Sequence, residues 1–265
     1  MKWHELTSNE IKALADQDPV AILPIAAIEQ HGPHLPVSTD IIIGEGLVDA
    51  AVRQLETIPF VILPTQAMGV SLEHVTFPGT LTLSSQSLEN ALIGIASGLR
   101  TAGVRRLVIS NSHGGNKAAL DSAALRIRLE FDILVVKANY FRFPGPSGME
   151  IPDKEWKHGL HGGAVETAMM LHLQPDLVRT DAVKRFRSLG EELEQTLTWI
   201  SPEGVAPFAW ISQDLNPQGV LGDATLATAH MGTRLVEHYA GILAEVVRDT
   251  HAFPIDYLKR PKAEA

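Results

Sequence analysis

Val20-Ala-Ile-Leu-Pro-Ile-Ala-Ala-Ile28 runs straight into Glu29-Gln-His31-Gly-Pro-His-Leu-Pro-Val-Ser-Thr-Asp40, and the join between the two stretches decides the fold. A continuous apolar run has no polar face for water, so as a strand it must be covered on both sides. The polar stretch starts where the strand stops. That places its charged side chains at a strand's carboxyl end, where ligands collect in sheets with helices on both faces. In extended backbone, residues two apart point to the same side, so Glu29 and His31 project together. Thr39-Asp40 then opens a helical pattern, with Ile41, Gly44, Val48, Ala51, Val52 and Leu55 on one face and Ser38 or Thr39 as the N-cap.

Outward from that join, Phe60-Val-Ile-Leu63, Arg106-Leu-Val-Ile109 and Ile133-Leu-Val-Val136 repeat the apolar run, and helical patterns over 87–99 and 117–129 lie among them. Alternation of this kind predicts an α/β fold with a mainly parallel sheet and helices on both faces. Leu235, Tyr239, Ile242, Leu243 and Val246 space a last helix over about 233–247. The stretch 180–223, with Pro202, Pro207 and Pro217, is less regular and reads as a lid, a subunit contact or long connections. No repeat or linker-like shift in composition divides the chain, so one domain over 1–265 is expected.

Composition narrows the chemistry. At 265 residues and 45% hydrophobic, the chain buries a sizeable core without staples. It contains no cysteine, which excludes disulfides, thiolate nucleophiles, Cys-ligated zinc and iron–sulfur clusters. Any metal must be held by nitrogen and oxygen. The formal net charge of -9 argues against a nucleic-acid partner. The longest apolar stretch is too short to span a bilayer, and the first residues lack a signal-peptide core. A cytoplasmic protein acting on a small-molecule substrate, with no nucleic acid or membrane partner, is the expectation.

Two more motifs follow apolar or loop segments in the same manner. Asn111-Ser-His113-Gly-Gly-Asn116 lies between a strand and a helix, and Gly114 and Gly115 let the backbone turn sharply and approach a ligand. His161-Gly-Gly-Ala-Val-Glu166-Thr-Ala-Met-Met-Leu171 starts a helix. Singly, each residue has a plain reading: Glu29 as a loop carboxylate, Asp40 and Glu166 as charges at the positive end of a helix, His161 as a cap. Together, Glu29, His31, Asp40, His113 and Glu166 offer two histidines and three carboxylates, which suits zinc, manganese or another borderline divalent ion. If one carboxylate bridges, the set serves two ions ~3.5–4 Å apart that share and activate a water. An esterase reading of His-Gly-Gly needs a Gly-x-Ser-x-Gly elbow, and the sequence has none; His-Glu-x-x-His and the P-loop pattern are likewise missing.

These three motifs, with Phe77-Pro-Gly-Thr80 and Gly222-Asp223-Ala-Thr-Leu-Ala-Thr, resemble the creatininase (creatinine amidohydrolase) family over nearly the whole chain. The resemblance implies a three-layer α/β/α sandwich, two divalent ions per chain (zinc, manganese or iron), a homohexamer, and hydrolysis of a C–N bond in a cyclic or linear amide by metal-activated water. Carried over, Glu29, Asp40 and His113 hold one ion and His31, Asp40 and Glu166 the other, with Asp40 as the bridge. His161 matches the histidine that works beside the metals. Creatininases proper carry Tyr-Glu where this chain has Gly114 and Gly115, and an acid where it has Leu160, so a substrate other than creatinine is expected. Gly114, Gly115 and His74, beside Glu73, are expected to line the substrate space. The same water acting on a C–C or ester bond, and an inactive metal-binding scaffold, are the alternatives. His34 reads as a hydrogen-bond partner of a carboxylate behind the ligands. Trp156, Trp199 and Trp210 read as core or interface packing, and Glu191-Glu-Leu-Glu194 as a solvated helix face.

Overall fold

The computed structural model describes residues 1–259; residues 260–265 of the expected domain lie outside the described residues. Strands β1 (Val20–Ile25), β2 (Phe60–Ile62), β3 (Arg106–Asn111) and β4 (Leu134–Asn139) form a parallel sheet in the order β2-β1-β3-β4. Val20 pairs with both Phe60 and Arg106, and Arg106 with Leu134. β1 is therefore interior to the sheet and fully buried, which is why its sequence is apolar throughout. Pro24 fits an interior strand because the regular pairing with β2 has ended on the side its N–H would face. Its carbonyl accepts from Gln66 N–H on the β2 side, where β2 has already stopped at Ile62, so the missing proline N–H costs no ladder bond.

Helices are α1 (Ser8–Ala15), α2 (Thr39–Val52), α3 (Ser85–Ala102), α4 (Lys117–Phe131), α5 (Asp153–His158), α6 (Ala164–Leu173), α7 (Leu189–Leu193), α8 (Ser212–Leu215) and α9 (Ala229–Ala252). Alternation along β1 sorts them into two layers. Val20 and Ile22 point into a core closed by α2, α6 and α9 through Ile43, Leu47, Met169, Leu235, Tyr239 and Leu243. Ala21, Leu23 and Ile25 point the other way, to Leu88, Leu92 and Leu99 of α3, Leu120 and Ile127 of α4, and Leu14 of α1. The result is the expected α/β/α sandwich. No helix among the described residues is long and apolar enough to cross a membrane.

Several elements differ in detail from the sequence reading. α9 starts at Ala229 because the Thr228 hydroxyl accepts the Met231 N–H, and it runs to Ala252. α2 begins at Thr39 without a side-chain cap, since the Thr39 hydroxyl donates back to the Pro36 carbonyl at 2.7 Å. The Glu191–Glu194 stretch is only in part a solvated face. Glu191 is buried and takes Lys154 at 2.8 Å and Arg185 at 2.7 Å. Glu192 and Glu194 are exposed; Glu194 takes Lys157 at 2.6 Å and His158 at 2.9 Å, and Glu192 faces Arg187 at 3.5 Å. The irregular stretch 180–223 holds two short ladders, β5 (Arg185–Phe186) with β8 (Gly222–Asp223) and β6 (Ile200–Ser201) with β7 (Ala206–Pro207).

Candidate metal centre

All five candidate ligands meet at the carboxyl ends of β1 and β3 and the amino-terminal turns of α2 and α6. Asp40, in the first turn of α2, sits between the two histidines: Oδ1 is 3.3 Å from His31 Nε2 and Oδ2 is 3.3 Å from His113 Nδ1. Glu29 Oε1 is 3.2 Å from His113 Nδ1, and Glu166 Oε2 is 3.9 Å from His31 Nε2. Glu29, His31, Asp40 and His113 are buried.

Hydrogen bonds on the far side of each ring set the tautomers. His113 Nε2–H donates to the Val70 carbonyl at 2.8 Å, which leaves Nδ1 as a lone pair facing Glu29 and Asp40. His31 Nδ1–H donates to the Glu29 carbonyl at 3.1 Å, which leaves Nε2 facing Asp40 and Glu166. Lone pairs therefore meet carboxylate oxygens with no donor between them. Buried Glu29 Oε2, His31 Nε2 and Asp40 Oδ2 have no hydrogen-bond partner. Only cations satisfy such a set, and nitrogen–oxygen donors of this kind fit zinc or manganese. Among the described residues, three groups of donor atoms are close enough to share an ion: Glu29 with His31 and Asp40, His31 with His161 and Glu166, and Glu29 with His74 and His161.

Protonation follows the same logic. Burial opposes charge on His113, but Glu29 and Asp40 overcome it and hold the imidazole well above its usual range. Burial likewise opposes charge on His31, but Asp40, then Glu166 and Glu29, raise it to about 9. Against the pull of burial, His113 holds the Glu29 carboxyl well below the carboxylate range. In the metal-free chain, protons take the places the donor set prepares for metal. Glu166 is pushed up by burial and is oriented by the Gly162 N–H at 2.6 Å and the Tyr140 hydroxyl at 3.3 Å.

His161 and His74 flank the cluster on its other side, their ring centroids 4.3 Å apart, with His161 4.2 Å from His31. His161 Nε2–H donates to the Gln30 carbonyl at 2.7 Å, and Nδ1 faces Glu29 Oε1 at 3.6 Å. Burial and its two neighbouring histidines hold His161 well below the histidine range. Gln30 organises this side. Its Oε1 accepts the Gly32 N–H at 2.9 Å and its Nε2 donates to the Gly219 carbonyl at 2.6 Å, which fixes the amide. The same nitrogen donates to His74 Nδ1 at 2.8 Å, so His74 keeps its proton on Nε2, 3.5 Å from Glu29 Oε1. Burial lowers His74 to about 4 and keeps it neutral.

Gly114 has open space where a side chain would begin, whereas a Cβ on Gly115 would lie 2.2 Å from the Val70 carbonyl and 2.5 Å from His113 Nε2. His34 does not reach a carboxylate. Its Nε2 lies 3.0 Å from the Gly162 carbonyl and 3.0 Å from Thr167 Oγ1, because it packs on Phe186 beneath the third motif. Trp199 is exposed, and Trp210 Nε1 donates to the Pro202 carbonyl at 2.9 Å.

Sequence reading passed over the supports that come from 180–223 and from Glu155. Leu221 N–H donates to the His161 carbonyl at 2.7 Å. The Ser212 hydroxyl donates to the Glu73 carbonyl at 3.0 Å. Buried Glu155 accepts the Ala164 N–H at the start of α6 and the Asp223 N–H, both at 2.7 Å. A glycine N-cap at Gly163 is the one local signal that α6 borrows its cap from elsewhere.

A three-layer sandwich carrying a buried histidine–carboxylate cluster at its strand ends defines a metal-dependent hydrolase. The family model for creatininase, described as creatinine amidohydrolase, matches residues 4–247, and the chain belongs to that family of metal-dependent amidohydrolases. A "mycofactocin precursor peptide peptidase" of Mycolicibacterium smegmatis is 32% identical over 86% of this chain and 83% of its own length. A creatinine amidohydrolase of Pseudomonas putida is 32% identical over 68% of this chain and 74% of its own. The solved structure "Creatininase Mn" superposes with a TM-score of 0.74 at 27% identity, covering 95% of this chain and 98% of that one.

Proposed function

We propose that the centre holds two divalent ions, zinc or manganese with iron as a third fit, and hydrolyses a peptide-type amide rather than creatinine. Glu29, Asp40 and His113 take one position and His31, Asp40 and Glu166 the other. The observation that carries this reading is Asp40, whose two oxygens lie 3.3 Å from acceptor nitrogens on opposite sides. When bound, divalent ions activate water and polarise the carbonyl under attack. His161 then handles the proton: its Nδ1, aimed into the centre while Nε2–H is tied to Gln30, takes the proton from water and passes it to the leaving nitrogen. Tyr140 and Gly162 hold Glu166 in place, and His74 offers its Nε2–H toward Glu29.

The choice of a linear amide rests on two supports. The peptidase relatives match 86–92% of this chain at 32% identity, more of it than the creatinine amidohydrolase relative does. Gly114 and Gly115 also leave out the Tyr-Glu side chains of creatininases proper. We read the chain as one domain over 1–265, cytoplasmic and homo-oligomeric, the hexamer following from the family resemblance.

Metal content of tag-free protein, before and after chelation, tests the reading. About two ions per chain are expected, lost on chelation and from Asp40→Ala together with amide hydrolysis. His161→Ala keeps its metal and loses roughly 10²–10⁴-fold in rate. Metal loss from His161→Ala would move His161 into the ligand set, and cleavage of lactones or cyclic ketones in place of amides would replace the substrate class.

A further inference from the structure

Two cations lie just past the ends of β3 and β4, with one carboxylate between them. Lys117 opens α4 directly after the Gly114–Asn116 turn, and Arg142 closes the Tyr140–Arg142 turn that follows β4. β3 and β4 are neighbours, and their ends are tied by Asn111 Nδ2 donating to Asn139 Oδ1 at 2.8 Å. One cation thus hangs from the loop that carries His113, and the other from the turn whose Tyr140 holds Glu166.

Both reach Glu203. Lys117 Nζ lies 3.3 Å from Oε1 and 3.2 Å from Oε2, and Arg142 lies 3.7 Å from Oε2. Glu203 rides on the tip of the β6–β7 ribbon, which rests on a two-residue ladder. Beside it Gly204 turns at φ 131° and Val205 is 85% exposed. Past the ribbon the chain returns to Ser212, which grips the Glu73 carbonyl next to His74. The segment therefore runs from the cations to the Glu73–His74 turn.

A half-exposed ion pair on a ribbon this small is readily exchanged. In a chain of net charge -9, two convergent cations also favour an arriving anion. We propose that Lys117 and Arg142 form a carboxylate subsite, filled by Glu203 in the free enzyme and taken over by a free carboxylate of the substrate. The substrate class is then an amide that also carries a carboxylate, as at the C-terminal end of a peptide. This rests on the reading of the centre as an amide hydrolase.

The test uses the full-length, zinc-loaded protein and two probes: an N-acetylated Ala-Gly tetrapeptide with a free C-terminal carboxylate, and the same peptide with a C-terminal amide. Calorimetric titration is expected to show the free acid binding about tenfold tighter. Lys117→Ala and Arg142→Ala each shrink that ratio toward one, with metal content and melting temperature unchanged. Glu203→Gln, which removes the competing charge, tightens the free acid several-fold and leaves the amidated peptide where it was. Equal affinities, no binding of either peptide, or a preference that survives both cation variants would overturn the subsite. Cleavage is followed on the same samples. A carboxylate preference without any metal-dependent cleavage sinks the amide-hydrolase reading and leaves the subsite standing.

Discussion

Stripping the centre of metal should give the protein an unusual dependence of stability on pH. His31 is raised from 6.5 to about 9 by Asp40 and its neighbours, so in the metal-free fold it binds a proton that the unfolded chain releases. That rise corresponds to about 3 kcal/mol. That stabilisation is fully present below pH 6.5 and is lost as pH rises through 9. For a chain this long, it equals a fall in Tm of roughly 6–12 °C. His113, raised by Glu29 and Asp40, acts in the same direction. Histidines shifted the other way act in a separate window. His34 and His74, both lowered to about 4, and His161, also lowered, stay neutral in the fold. They withdraw stability as pH falls from 6.5 toward 4.

Urea unfolding of chelator-treated protein at pH 6.5, 7.5, 8.5 and 9.5 measures the alkaline limb directly. Asp40→Asn removes the principal attraction on His31 and should flatten it. Metal-loaded protein should behave oppositely between neutral and acid pH, because protons then compete with the ions. Stability that stays level or rises between pH 6.5 and 9 in the metal-free protein would refute the argument. An Asp40→Asn variant with an unchanged slope would do the same.

Four substitutions test the packing and its supports. Gly232→Ala puts a methyl 1.9 Å from the Ala168 carbonyl oxygen, so α6 and α9 must separate. A loss of ~1–3 kcal/mol or more in denaturant unfolding is expected, and an unchanged midpoint would contradict it. Gly115→Ala presses on Val70 and on the back of His113, and should weaken metal binding about 10–100-fold in competition with a chelating dye. Gly98→Ala in α3, with nothing within 4 Å, should instead gain ~0.5–1 kcal/mol. In Glu155→Gln one accepting oxygen becomes a donor opposite a backbone N–H, at a cost of about 1–3 kcal/mol; a variant that melts like the parent would show one contact to be dispensable.

The sandwich was legible because β1 advertises two-sided burial and the charged residues follow its end without a gap. The ligand cluster was legible because each of its motifs sits at a strand end or a helix start, where chain topology converges. Helix ends were harder to place. α9 gained a turn from a threonine cap that hydrophobic spacing does not register, and α2 dispensed with its expected cap. Glu191 shows the commonest blind spot: its neighbours in sequence are acidic, while the cations that bury it, Lys154 and Arg185, come from other elements. Glu155 and Gly219 were invisible for a related reason. The Glu155 carboxylate takes backbone N–H groups and Gly219 offers a backbone carbonyl, and since every residue has such backbone groups, residue type carries no trace of these pairings.

The supports drawn from the late part of the chain also order events during synthesis. Gln30, which aims His74 and anchors His161, is itself held by a carbonyl 189 residues further on. His161 in turn depends on Leu221, and α6 on Glu155 and the Asp223 segment. A nascent chain that has emerged only as far as α4 carries Glu29, His31, Asp40 and His113 but not the backbone that lines up their neighbours. Contacts this distant in sequence form late. Ordered assembly of the centre therefore waits for the segment that carries Gly219 and Leu221.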